Sequence, residues 1–162
     1  MSPLSYPALH ATHAGIWIAY PDGRIEAVGR GAATARAAET PMILLNAPLI
    51  GNRLGYPDLS GLDLLELFAF VHPARFAVPT PKGLADALGL TPPERDEDAA
   101  AFLRDAAATL LATLAGDWPE REGAWASAQA LHRLRWPWGG AVAARIGAWL
   151  AGKSGPLRQR WR

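Results

Sequence analysis

The sequence predicts an α/β domain that is followed by an all-helical C-terminal segment. An apolar, β-rich run at 14–20, turn chemistry at 21–23 and an alternating run at 24–29 predict a β-hairpin. The apolar run at 42–45 follows a proline and is typical of a buried strand. After residue 80 the patterns are helical, with no further strand signal.

The rest of the first half is predicted to be irregular or helical. Residues 1–13 carry two prolines and no periodicity, which predicts an extended lead-in. The segment 31–39 predicts a short helix, and 46–57 predicts one or two helical turns. The segment 61–73 has too many apolar positions for a surface helix, so we expect a largely buried helix that Pro73 ends.

The second half predicts four helices. Thr80 is a suitable N-cap for a helix over 82–89, which closes on a glycine. The acidic run 91–98 suits the positive end of a long alanine-rich helix that extends to about Ala115. A third helix opens at Pro119 and a fourth covers about 141–151. We therefore expect three parts: an α/β domain over 1–116, a helical extension over 117–151 and a basic tail over 152–162.

The composition excludes several classes of protein. The 162 residues contain no cysteine, which excludes a disulfide framework, a thiolate zinc site and a cysteine nucleophile. The net charge is +1, so no overall positive field attracts nucleic acid or a membrane surface. No apolar run reaches the ~18 residues of a membrane span and no signal peptide opens the chain, so we expect a cytoplasmic protein with no membrane partner.

One run matches the formula of a phosphate-binding P-loop: Gly147, Gly152, Lys153 and Ser154 fit G-x-x-x-x-G-K-[ST]. A working P-loop needs a buried strand before the loop and a helix after it. Here the preceding segment is helical in pattern and Pro156 follows the motif closely. We therefore interpret the match as the glycine-capped end of a helix.

Basic and aromatic residues alternate near the C-terminus in a pattern that suits single-stranded nucleic acid, because aromatic rings stack on bases and arginines neutralise phosphates. The candidate nucleic-acid-binding residues are Arg133, Arg135, Trp136, Trp138, Arg158 and Arg160. The alternative is that these tryptophans pack at the edge of the core, as most of seven tryptophans in a small protein must. No spacing of His10, His13 or the acidic residues predicts a metal site or a catalytic triad.

Five short motifs between residues 42 and 114 occur in a recognisable order. They are Leu-Leu-Asn-Ala-Pro at 44–48, Leu-Asp-Leu-Leu-Glu-Leu at 62–67, His72-Pro73, Gly-Leu-Ala-Asp-Ala-Leu at 83–88, and Asp98-Ala99 or Asp105-Ala106. This order resembles the second half of DnaQ-like (DEDD) exonuclease domains. The resemblance implies an RNase H-like sheet with helices.

The same resemblance implies that the catalytic residues are lost. The family's aspartate after Asn-Ala-Pro corresponds to Ile50, and its last-helix histidine corresponds to Ala100 or Pro93. The first motif, Asp-x-Glu, has no counterpart in 14–20, and Asp63 matches a position that is not a metal ligand. Two magnesium ions cannot be held without these carboxylates, so we expect a degenerate exonuclease.

Over residues 6–140, the chain more specifically resembles the N-terminal region of bacterial DinG-like ATP-dependent DNA helicases, through the stretches 44–49, 55–84, 117–125 and 134–138. This implies a non-catalytic module that assists nucleic-acid or motor-domain docking, with the motor in cis if the chain is a fragment. ATP and Mg²⁺ would belong to the parent helicase, and we expect no cofactor in this chain. Two alternatives stay open. One is a metal-dependent 3'-5' exonuclease that uses Asp58, Asp63, Glu66 and Asp105, and the other is a stand-alone protein-interaction module.

Overall fold

The computed structural model of the chain describes residues 5–116, 118 and 121–154. The chain divides into two compact units, Met1–Thr109 and Leu110–Arg162. The first unit is mixed α/β, and its described residues contain a five-stranded sheet. Within the described part of the chain, no helix has the length and apolar character that crossing a membrane requires.

The sheet is mixed in direction and has the spatial order β3-β2-β1-β4-β5. Its strands are β1 (Ala8–Ala11), β2 (Ile16–Ala19), β3 (Ile25–Val28), β4 (Ile43–Leu44) and β5 (Leu62–Asp63). β1, β2 and β3 form an antiparallel meander, whereas β4 lies parallel to β1 and β5 lies parallel to β4. The β2–β3 hairpin and the β4 strand that the sequence predicts are confirmed.

The prediction of an extended lead-in over 1–13 is wrong at residues 8–11, which form β1, the central strand of the sheet; residues 1–4 lie outside the described residues. All four residues of β1 are buried, His10 included. A strand that is covered on both faces needs no polar alternation, and this one is only four residues long. Because of the flanking prolines and the polar His10, the sequence pattern does not indicate this short central strand.

The prediction of one helix over 61–73 is wrong at its start, because Leu62 and Asp63 form β5. The amide of Leu62 donates to the carbonyl of Met42 at 2.9 Å, which joins β5 to the chain entering β4. Gly61 makes this approach possible, since a Cβ at that position would lie 2.6 Å from the same carbonyl oxygen. The helix then runs over Leu64–Val71, and Asp63 is its N-cap.

The described residues form seven helices: α1 (Arg30–Glu39), α2 (Ala47–Leu54), α3 (Leu64–Val71), α4 (Pro81–Leu88), α5 (Asp96–Ala115), α6 (Arg121–Arg133) and α7 (Gly139–Ser154). The predicted cap of α4 is confirmed: the Thr80 side chain accepts from the Gly83 amide, and Gly89 ends the helix with φ 68. The second unit contains the end of α5 together with α6 and α7, and buries residues such as Trp138, Val142 and Ile146.

Candidate functional site

A cleft lies in the first unit where the parallel strands β1 and β4 end. Its wall includes His10 and Thr12 from the end of β1, and Leu45 from the residue after β4. The remaining sides come from α2, from the segment that enters α4, and from the start of α5. The cleft encloses about 310 Å³, near the lower limit for small-ligand sites. Open α/β sheets commonly bind ligands at the carboxyl ends of their strands.

One side of the cleft is apolar. Leu45, Leu49 and Ile50 line it, and Ile50 is only 1% exposed. In the resemblance to DnaQ-like domains, Ile50 corresponds to the catalytic aspartate. An alkyl side chain at this position offers no oxygen to a metal ion, but it can pack against a sugar or a base.

His10 is the most unusual polar residue of the cleft. It is 6% exposed, and its Nδ1 has no hydrogen-bond partner among the described residues. Burial lowers the pKa of His10; Asp96 opposes this shift and Arg53 reinforces it. His10 is therefore neutral near pH 7, and its ring nitrogen lacks the partner that buried polar atoms normally have.

Two hydrogen bonds order the polar mouth of the cleft. The Thr12 hydroxyl donates to Oδ2 of Asp96 at 2.9 Å, which links the end of β1 to the start of α5. Arg53 donates through Nη1 to the carbonyl of Ala11 at 2.5 Å. A guanidinium has five N–H donors, so Arg53 retains donors for a ligand. Sequence reasoning missed His10, Arg53 and Asp96 as a group, because it placed no strand before residue 14.

The Leu-Leu-Asn-Ala-Pro motif builds the turn that leads from β4 into α2. Asn46 adopts a left-handed conformation (φ 65), and its side chain accepts from the Leu49 amide at 3.3 Å. The buried carboxylate of Asp63 accepts from the amides of Asn46, Ala47 and Leu65 at 3.1, 2.8 and 3.0 Å. Asp63 therefore fixes the turn, and its oxygens are occupied by backbone donors.

In the structure, the carboxylates named for the alternative nuclease hypothesis do not form a metal site. Asp58 is exposed in the loop before β5, and Asp63 is committed to the α2 turn. Throughout residues 5–116, 118 and 121–154, no group of three or more histidine or acidic side chains is placed to hold a metal ion.

The candidate nucleic-acid residues of the second unit occupy different environments. Arg133 ends α6, and Arg135 follows it with φ 61; both are exposed. Trp136 is half-buried, whereas Trp138 is completely buried and presents no face to a base. Arg158 and Arg160 lie outside the described residues.

The P-loop match lies within a helix. Gly147, Gly152, Lys153 and Ser154 all belong to α7, which extends to Ser154. The expected glycine-capped helix end at Gly152 is wrong, because the helix continues through that residue. Backbone amides inside a helix donate to helical carbonyls and are not free to surround a phosphate.

In comparisons with known proteins, no family model, no curated protein and no solved structure matches this chain.

Proposed function

We propose that the chain is a non-catalytic module that binds single-stranded nucleic acid, and that its first unit is a degenerate RNase H-like domain of the kind that precedes the motor in DinG-like helicases. The sheet supports this fold assignment. An antiparallel meander β1-β2-β3 next to parallel β4 and β5, in the order β3-β2-β1-β4-β5, supports the RNase H-like sheet that the resemblance implies. The helices α6 and α7 support the helical extension that the sequence predicts over 117–151.

The observation that carries the proposal is the composition of the cleft. It occupies the strand ends where a DnaQ-like domain would hold its metal ions, but its floor carries Ile50 and neutral His10. Its cations are Arg53, Lys82 and Arg95, of which Arg95 is paired with Glu97 and Asp98, and its acidic lining residues are Glu94 and Asp96. Apolar surface next to Arg53 and Lys82 can bind a nucleotide, and among the described residues the two lining carboxylates belong to no group of three or more that could hold a metal ion for cleavage.

The test is binding without turnover. Fluorescence anisotropy with a labelled single-stranded oligonucleotide of about twelve nucleotides is measured in EDTA and in Mg²⁺ or Mn²⁺. We expect binding in EDTA that Mg²⁺ or Mn²⁺ does not strengthen and that weakens steeply between about 50 and about 200 mM salt, and an intact oligonucleotide after incubation. Shortening of the strand in Mg²⁺ or Mn²⁺, or binding only when metal is present, would contradict a non-catalytic role.

A second candidate function, docking of a protein domain, is favoured by the segment between α3 and α4. Phe76 is 82% exposed and Val78 is 52% exposed, which is unusual for two apolar side chains so close together. If this segment docks a helicase motor, Phe76→Ser weakens association with that motor and leaves oligonucleotide binding unchanged. Unchanged motor association would count against the docking role.

A further inference from the structure

A second, more open depression adjoins the cleft in the first unit. It measures about 470 Å³ and is lined by Thr12, His13, Arg30, Leu49, Asn52 and Arg53. We call it the arginine groove. It shares Thr12, Leu49 and Arg53 with the cleft, so a ligand that leaves the cleft on this side enters the groove.

The arginine groove carries positive charge without compensation from its own wall. Arg30 and Arg53 line it, and none of its lining residues is acidic. Among the described residues the ion pairs engage Arg36 and Arg95, and neither of these lines the groove. A wall of this composition favours an anionic ligand, with two guanidinium groups that suit the geometry of phosphate oxygens.

Arg30 stands in a position that the helix itself disfavours. It is the first residue of α1, whose N-cap is Gly29 with no side-chain hydrogen bond, and the first turn holds no acidic residue. The positive end of the helix dipole and the guanidinium therefore lie together, which costs stability unless an anion is bound. Departures of this kind from local preference are expected at functional positions.

The cleft on the other side of the shared wall gives an independent indication of a ligand. His10 lines the cleft, and its Nδ1 is buried and has no hydrogen-bond partner among the described residues. A bound nucleotide has hydroxyl and amino groups that can donate to a neutral imidazole nitrogen. The unpartnered nitrogen of His10 and the two arginines of the groove therefore belong to adjoining cavities at the same end of the sheet.

We propose that the arginine groove binds the phosphate groups of a single strand whose terminal nucleotide lies in the cleft, and that it does so without a metal ion. This proposal rests on the proposed function and adds the path of the strand to it. Arg30 and Arg53 neutralise successive phosphates; Arg53 and Leu49 line both cavities and therefore contact the strand where it passes from the cleft into the groove.

The test compares arginine variants of the full chain by anisotropy, in EDTA, over a range of salt concentrations. Arg30→Gln removes one proposed phosphate contact, and Arg30→Glu reverses its charge. Arg24→Gln is the matched control, since Arg24 is exposed in the β2–β3 turn of the same unit and lines neither cavity. Arg53 is unsuitable as the decisive variant, because its guanidinium also donates a hydrogen bond to the carbonyl of Ala11 at the end of β1.

We expect Arg30→Gln to weaken binding about three- to tenfold at low salt, and to reduce the slope of log K against log salt by about 0.7. Arg30→Glu weakens binding further, while Arg24→Gln keeps both the affinity and the slope of the unaltered chain. If all three variants bind alike, or if Arg24→Gln weakens binding as much as Arg30→Gln, the groove is not the path of the strand. These outcomes leave the proposed function standing, whereas no binding by the unaltered chain would overturn both proposals.

Discussion

At the scale of single residues, Asp63 organises the chain next to the cleft. Its carboxylate is 7% exposed and accepts from three backbone amides, those of Asn46, Ala47 and Leu65. Asp63→Ala leaves these buried donors unpaired, so we expect it to lower the free energy of unfolding by about 2–5 kcal/mol. Chemical denaturation measures this loss. Asp58→Ala, at an exposed loop position, serves as the control and should stay within about 0.5 kcal/mol; equal losses in the two variants would contradict the assigned role.

His10 predicts a pH dependence of stability. Because burial lowers its pKa below the value of 6.5 that it has when unfolded, the unfolded chain binds a proton that the folded chain does not. The contribution of His10 to the free energy of unfolding is therefore fully present above pH 6.5. It is lost as the pH decreases from there towards the pKa of His10 in the folded chain. Thermal melts between about pH 8 and about pH 5 measure this fall.

Substitution of His10 tests that assignment. His10→Leu removes the titrating group and the unpartnered Nδ1, so we expect unfolding to cost about 1–3 kcal/mol more at pH 7 and the loss below pH 6.5 to shrink. His13→Gln is the control, because His13 is exposed in the following loop. A pH profile that His10→Leu leaves unchanged would show that another group causes the dependence.

The sequence predicts individual chemical roles best where the role is local. The caps of α4 at Thr80 and Gly89 depend on neighbours three or four residues away, so their spacing was readable. The contact of Thr12 with Asp96 spans 84 positions, and no local pattern encodes it. The acidic run 91–98 predicts only a favourable start for α5, whereas in the structure Asp96 also accepts a hydrogen bond from the Thr12 hydroxyl and lines the cleft. The cleft therefore cannot be predicted from the sequence, because its lining residues come together only in the folded chain.

At the scale of elements, β1 is the strand that the sheet depends on most. It lies third in the order, and Leu9 within it is fully buried. Leu9→Ala opens a cavity in the centre of the core, and we expect a loss of about 2–5 kcal/mol. Ile25→Ala on the edge strand β3 removes a side chain that is 39% exposed, so its loss should be below about 1 kcal/mol. Urea unfolding of both variants measures the difference, and similar losses would argue against a central β1.

Elements with a strong period, a turn signal or a cap are predictable from the sequence, as is the apolar strand β4, whereas the short strands β1 and β5 are not. The hairpin of β2 and β3 combines β-rich runs with a Pro-Asp-Gly turn, and α5 is a long alanine-rich helix with an acidic start. β5 has two residues, and it continues directly into α3. Its strand character comes from pairing with β4, a tertiary contact that outweighs the apolar helical pattern of 61–73. The parallel pairing of β4 with β1 and β5 is therefore known only from the structure.

At the scale of the whole molecule, each unit has buried residues of its own, and this predicts a local response to damage in the second unit. Trp138 is completely buried there, and Trp138→Ala removes the largest fully buried side chain of the chain's described part. We expect a loss of about 3–5 kcal/mol that is confined to the second unit. Hydrogen exchange should accelerate in α6 and α7, while the amides of β1, β2 and β4 keep their protection.

The same variant locates nucleic-acid binding on the molecule. Since the cleft and the arginine groove belong to the first unit, Trp138→Ala should bind the oligonucleotide within about twofold of the unaltered chain, at a temperature where the first unit keeps its protection. If binding instead depends on Arg133, Arg135 and the tryptophans, the variant loses it together with the exchange protection of α6. Uniform loss of protection across both units would show that the chain unfolds as one cooperative body, and anisotropy of the folded fraction would then decide where the strand binds.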